Sequence, residues 1–133
     1  MGIKILHVDE DYVEIPLLQG GLKAKAVAWP GTGAFLGSLH YVAYESGQAS
    51  VPHTHPFSQD IFYIIEGEGS MVDTTDGKEI EQRIRPGSVV VVDPGTIHQV
   101  RADTRLVNVG GPCPADITFY KRAGLEWQLK SDG

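Results

Sequence analysis

The chain has 133 residues, one of them cysteine, and its 11 Lys and Arg residues against 17 Asp and Glu residues give a formal net charge of −6. This length suits a single domain with its own apolar core, and a lone cysteine excludes an internal disulfide framework. The acidic balance argues against nucleic acid or an anionic membrane as a partner, and no apolar run is long enough for a transmembrane helix. We therefore expect one domain over residues 1–133 and, since no signal peptide is visible, a cytoplasmic protein.

Strand signals dominate the chain. Segments rich in β-branched and aromatic residues alternate with turn residues, which favours an all-β sandwich or barrel. In chain order, the predicted strands are residues 36–44, 61–65, 70–75, 78–83, 89–92, 97–101, 106–109 and 117–120. Asp76-Gly77 predicts a hairpin, and the four valines of Val89–Val92 predict a strand buried on both faces. The tail, residues 122–133, is expected to form one helical turn and then fray.

The histidines carry the main chemical signal. His53 and His55 are two residues apart, so an extended backbone presents both imidazoles on one face. Asp60 can return a carboxylate to the same place after a turn, and His98 follows a tight turn further along the chain. Three imidazoles and one carboxylate are a usual ligand set for a divalent metal ion, and they leave two octahedral positions open. A single His-x-His pair, by contrast, is also common on solvent-facing strands.

Two motifs with defined spacing contain these residues. The first reads Gly-x5-His-x-His-x4-Asp-x6-Gly from Gly47 to Gly67, and the second reads Gly-x5-Asp-x-Gly-x2-His from Gly87 to His98. Both resemble the two motifs of the cupin superfamily, in the same order and with the short spacer of small single-domain cupins. The resemblance covers about residues 36–110.

The resemblance implies a double-stranded β-helix, or jelly-roll barrel, with short strands before a core at about residues 36–110 and a short C-terminal tail. It also implies that a divalent metal ion is held inside the barrel, near one mouth. The implied ligands are His53, His55, Asp60 and His98.

Three positions depart from the family pattern. Asp60 stands where the family has Glu, Asp93 where it usually has Pro, and Ala102 where it usually has Asn. Aspartate is about 1.5 Å shorter than glutamate. Asp60 therefore either binds the metal directly after a small backbone shift or, without touching the metal, orients a water or histidine that binds it.

The substrate pocket is expected beside the ligands. Residues two apart on a strand share a face, and the turn between the ligands lies at the mouth. The predicted pocket residues are Phe57, Phe62, Ile64 and Val100. His7 and His40 are not expected to take part, and no catalytic residue can be named. If Phe62 faces inward, the neighbouring apolar side chains face outward and favour a homodimer; these are Ile61, Tyr63 and Ile65.

The leading functional expectation is a metal-dependent enzyme acting on a small organic molecule. Iron(II) with two open positions suits a dioxygenase, which the apolar wall of the pocket favours. Manganese, nickel, zinc or iron acting as a Lewis acid suits an isomerase, lyase or decarboxylase instead. The changes at Asp60 and Ala102 also leave open a non-catalytic module that binds a metal or small molecule, or a dimer that a metal merely stabilises.

Overall fold

The computed structural model describes residues 2–125, so most of the predicted tail at residues 122–133 lies outside the described residues. Residues 2–125 form nine strands and one short α-helix. The strands are β1 (Val13–Ile15), β2 (Ala24–Ala28), β3 (Leu39–Tyr44), β4 (Gln59–Glu66), β5 (Gly69–Asp73), β6 (Ile80–Ile84), β7 (Val89–Val92), β8 (His98–Ala102) and β9 (Leu106–Cys113). The helix is α1 (Ile117–Arg122), and short 3-10 turns lie at Gln19–Gly21 and Pro30–Thr32.

The strands form two antiparallel sheets in the part of the chain that the structure describes. One has six strands in the order β1-β2-β3-β9-β4-β7, and the other has three in the order β6-β5-β8. Non-sequential neighbours such as β3-β9 and β4-β9 show a jelly-roll connection rather than a simple meander. The predicted all-β double-stranded β-helix is confirmed, including short strands before the core.

The strand alternation places the core and the outer surface. On β4, Phe62 and Ile64 are buried, whereas Tyr63 is 42% exposed. On β3, His40 and Val42 are buried on the inner face. The two sheets therefore enclose an apolar core to which β3, β4, β8 and β9 contribute. None of the helices in residues 2–125 is long and apolar enough to cross a membrane.

Three local predictions are tested directly. The Asp76-Gly77 hairpin is confirmed, because β5 and β6 pair across it in antiparallel register. The strand predicted at residues 117–120 is wrong, because these residues begin α1, with the Asp116 side chain accepting from the backbone N–H of Phe119. Burial of Val89–Val92 on both faces is also wrong: β7 is a sheet edge, and Val89 is 63% exposed.

Candidate metal centre

Two distant segments meet to build the centre. His53 lies in the loop between β3 and β4, and it pairs with His98 at the start of β8. The backbone N–H of each donates to the carbonyl of the other, at N–O distances of 3.1 and 2.9 Å. This bridge places the two imidazoles 4.4 Å apart between ring centroids. Residues from the two motifs are thereby brought side by side by main-chain hydrogen bonds.

Asp60 completes the cluster from β4. It shares the inward face with Phe62, as the alternation requires. Its Oδ2 atom lies 3.0 Å from Nε2 of His98 and 3.7 Å from Nε2 of His55. One donor atom from each of His53, His55, Asp60 and His98 lies within 4.8 Å of the others. The four residues implied by the motif resemblance therefore converge, and the group could hold a metal ion.

Each imidazole of the cluster is oriented by an acceptor at its outer nitrogen. Nδ1 of His53 lies 2.6 Å from the carbonyl oxygen of Val51, and Nδ1 of His98 lies 2.9 Å from that of Thr96. Nδ1 of His55 lies 2.8 Å from Oδ2 of Asp116. An acceptor at Nδ1 assigns the proton to that nitrogen and leaves the Nε2 lone pair for a ligand.

The imidazoles of the cluster face more oxygen acceptors than neutral rings can donate to, so the cluster needs an additional positive charge. Both ring nitrogens of His98 face oxygen acceptors, Thr96 on one side and Asp60 on the other. A neutral imidazole donates from one nitrogen only, so the arrangement needs a second proton or a positive ion near Asp60. His55 likewise lies between the carboxylates of Asp60 and Asp116. The residues therefore fit a divalent cation, which satisfies the Nε2 lone pairs and the carboxylate together.

The local electrostatics favour the ligating forms of Asp60 and His53. Burial by itself raises the pKa of Asp60, but its hydrogen-bond contact with Nε2 of His98 and its electrostatic interactions with the imidazoles of His98, His55 and His40 outweigh the effect of burial. The net pKa of this carboxyl is below its ordinary value. Burial, assisted by the neighbouring His98, lowers the pKa of His53 to about 4. His53 is therefore neutral at neutral pH and can offer a lone pair.

A small cavity adjoins the cluster. Its volume is about 30 Å³, which holds about two water molecules. Two of the residues predicted in the substrate pocket, Phe62 and Val100, line this cavity, whereas Ile64 is fully buried in the core. Phe57, expected at the mouth, lies outside the cavity and is 90% exposed, because the turn at Pro56 and Phe57 directs its side chain to solvent.

Several residues of the site were not expected from the sequence. His40, set aside above, is buried, lines the cavity, and places Nε2 2.7 Å from the hydroxyl of Tyr120. Phe119 also lines the cavity, with its ring centroid 5.7 Å from that of His55. Asp116 supports His55 from outside. An Asp followed by a segment ending in Lys and Arg was an available signal for a short capped helix here.

The family assignment rests on sequence and fold together. The family model described as "Cupin domain" matches residues 40–109, more than half of the chain. The chain belongs to the cupin family. Germin-like protein subfamily 2 member 2 of Arabidopsis thaliana is 34% identical over 70 residues, which cover 52% of this chain and 32% of that protein. The chain thus spans about a third of the length of this curated relative.

Solved structures show the same fold at low sequence identity. An uncharacterized conserved protein with a double-stranded β-helix domain from Klebsiella pneumoniae superposes with a TM-score of 0.66. The pair share 21% identity, over 86% of this chain and 92% of that one. Ectoine synthase from P. lautus superposes with a TM-score of 0.65 at 20% identity, over all of this chain and 96% of that one. At these identities the likeness concerns the fold alone.

Proposed function

We propose that the chain is a metal-dependent enzyme acting on a small organic molecule. A single observation carries the proposal: four donors converge within 4.8 Å in a buried cluster whose imidazoles are held at Nδ1 by outer acceptors. Iron(II) is the preferred ion, with manganese, nickel and zinc as alternatives, and Asp60 is proposed as a direct ligand. A divalent ion here supplies Lewis acidity, and iron(II) also supplies electrons for dioxygen chemistry.

Residues of the chain itself orient the imidazoles and provide an apolar wall beside them. Val51, Thr96 and Asp116 hold the imidazoles at Nδ1. Phe62 and Val100 contribute apolar surface that limits water at the reacting centre. This lining supports a dioxygenase-type reaction, although Phe57 and Ile64, which the sequence also predicted in the pocket, do not line the cavity.

A non-redox reaction is the second candidate, and the pair of His40 and Tyr120 favours it. Both are buried, their polar atoms are 2.7 Å apart, and His40 faces the cavity. Burial lowers the pKa of His40 to about 4, so the imidazole is neutral at neutral pH. A neutral imidazole that is hydrogen-bonded to a tyrosine can polarise a carbonyl or hydroxyl group without a change of oxidation state, which suits an isomerase, lyase or decarboxylase.

A non-catalytic metal-binding module is the third candidate. It is favoured by the 30 Å³ volume of the cavity, which is too small for an organic molecule without side-chain movement. The proposed substrate-binding function therefore requires more space than this cavity offers.

The metal centre is tested by elemental analysis of protein purified without chelator. Wild-type protein is expected to carry about one equivalent of a divalent metal. His98→Ala removes a ligand and should abolish loading, while His7→Ala, at an exposed position far from the cluster in sequence, should load like wild type. Circular dichroism checks that each variant folds, and His53→Ala serves as a second ligand variant at the less buried end of the cluster.

The position of Asp60 and the reaction class need two further measurements. Asp60→Glu should retain metal if this carboxylate binds directly, because the longer side chain restores the family's usual ligand. Equal metal loading of wild type, His98→Ala and His53→Ala would contradict the metal centre. Once a substrate is found, equal turnover with and without oxygen would exclude the dioxygenase and leave the non-redox reaction.

A further inference from the structure

A second, larger cavity lies next to the proposed metal centre. This outer cleft has a volume of about 220 Å³. It shares Leu17, His53 and Phe119 with the inner 30 Å³ cavity, so these side chains form the wall between the two. The outer cleft can take an organic molecule of several carbon atoms, which the inner cavity cannot.

The outer cleft lies on the open side of the cluster. His53 is half-buried, whereas His55, Asp60 and His98 are buried. The ring of Phe119 lies 6.4 Å from that of His53, measured between centroids. A molecule in the outer cleft therefore approaches the cluster at its most accessible ligand, and Phe119 is the side chain that must turn aside.

The charge of the outer cleft points to an anion. Arg122, at the end of α1, lines the cleft together with the apolar side chains of Pro16, Leu17 and Val51. Within residues 2–125, Arg122 forms no ion pair. Arg83, in contrast, places a guanidinium nitrogen 2.6 Å from a carboxylate oxygen of Asp103. An exposed arginine that has no carboxylate partner among the described residues, and that lies beside an apolar surface, suits a carboxylate on an apolar body.

A second cleft also reaches the cluster at His98, and it competes with the outer cleft as a place where substrate could bind. The cleft there, of about 600 Å³, lies against β5, β6 and β7. Its charged lining residues are Asp73, Asp93 and Arg83. Since Arg83 is already paired with Asp103, this second cleft is acidic and disfavours an anionic molecule.

Given the enzymatic function proposed above, we propose that the outer cleft binds the substrate, and that this substrate is a small organic carboxylate. Its carboxylate pairs with Arg122, its body packs on Leu17 and Val51, and its reacting carbonyl or hydroxyl end passes Phe119 towards His53. Arg122 is then a specificity-determining residue, and Phe119 is a gate between the two cavities.

The test uses levulinate, a carboxylate with a ketone at its other end, and the neutral amide of the same acid. Each is titrated into the full chain, both metal-free and loaded with Mn²⁺, by calorimetry. Arg122→Gln should weaken levulinate binding about fivefold in both forms, the size expected for one partly exposed ion pair. Arg83→Gln, in the competing cleft, is the matched control and should bind like wild type, and the amide should bind as weakly to wild type as levulinate binds to Arg122→Gln.

Proton relaxation in the Mn²⁺ form reports the orientation of the probe. The methyl protons beside the ketone should relax faster than the methylene protons beside the carboxylate. The reverse order would mean that the carboxylate itself contacts the metal, and it would overturn the proposal. Phe119→Ala should increase the methyl relaxation, because it removes the wall between the two cavities.

The remaining outcomes separate this inference from the proposed function. Unchanged binding by Arg122→Gln, weaker binding by Arg83→Gln, or no levulinate binding at all would overturn the outer cleft as the carboxylate site. Failure to bind Mn²⁺ or any other divalent ion would instead contradict the metal centre. In that case, the effect of Arg122→Gln on levulinate binding to the metal-free chain would still show whether the outer cleft is the carboxylate site.

Discussion

One carboxylate, that of Asp116, links the last helix to the proposed metal centre. Its Oδ1 atom accepts from the backbone N–H of Phe119, 3.2 Å away, and caps α1. Its Oδ2 atom accepts from Nδ1 of His55. The side chain that starts the helix therefore also orients a candidate ligand, and the position of Phe119 is coupled to that of His55.

Asp116→Asn should separate the two tasks of this residue. Asparagine caps a helix as well as aspartate does, so the melting temperature should change little. The amide lacks the charge that favours a proton on Nδ1 of His55, so divalent-metal affinity should fall about 10- to 100-fold. Calorimetric metal titration measures the loss; unchanged affinity would mean that Asp116 only caps the helix.

His40 should make stability depend on pH. Burial lowers its pKa from an ordinary 6.5 to about 4 in the folded protein. As pH falls from about 6.5 to 4, the unfolded chain binds a proton that the folded protein does not, so the free energy of unfolding decreases. The loss from this residue reaches about 3 kcal/mol near pH 4 and vanishes above the unfolded pKa.

Urea unfolding of chelator-treated protein at several pH values measures this effect. His40→Gln should flatten the pH dependence by the contribution of one proton, while His7→Gln, at an exposed histidine, should leave it unchanged. Identical slopes for wild type and His40→Gln would contradict the prediction. His53, whose pKa is also lowered by burial, is expected to supply a second, similar contribution.

At the scale of elements, the site depends on how closely β9 packs against β4. Gly110 of β9 pairs with both His40 and Phe62, and it lines the inner cavity. Its φ is 145°, and an added Cβ would collide with the carbonyl oxygen of Ile61 and the Cα atom of Phe62. Glycine is therefore needed here for both conformation and space.

Gly110→Ala should destabilise the fold by at least about 3 kcal/mol, since backbone must move to relieve the collision. Gly87→Ala is the matched control. Gly87 also has a positive φ, 93°, but no atom lies within 4 Å of an added Cβ. Its cost should be about 1 kcal/mol from backbone strain alone. Equal losses in chemical unfolding would show that close packing of β9 against β4 contributes little.

At the scale of the whole molecule, the six-stranded sheet presents an apolar outer face. Tyr63 and Val89 face each other across the β4-β7 ladder and are 42% and 63% exposed, and Ile65 is 46% exposed. Exposed apolar side chains in one patch are typical of interfaces between subunits. We therefore propose that the protein is a homodimer through this face.

Light scattering at micromolar concentration should give twice the mass of the chain. Tyr63→Glu places a charge in the proposed interface and should give the single-chain mass without unfolding. Ile80→Glu, at a 55% exposed position on the other sheet, should leave the dimer intact. A wild-type protein with the mass of a single chain would contradict the homodimer.

The sequence predicts the all-β class from its strand patterning, and through the resemblance of its two motifs to those of cupins it implies the barrel and the four residues of the cluster. It did not determine α1, since Ile117, Phe119 and Tyr120 in a six-residue segment suit a strand as well as a helical turn. Nor could it show that His40 faces inward or that Phe57 faces solvent. Only the pairing of distant strands and the docking of α1 decide which face becomes an interior, so the complete wall of the cavity and its neighbouring cleft belong to the tertiary structure.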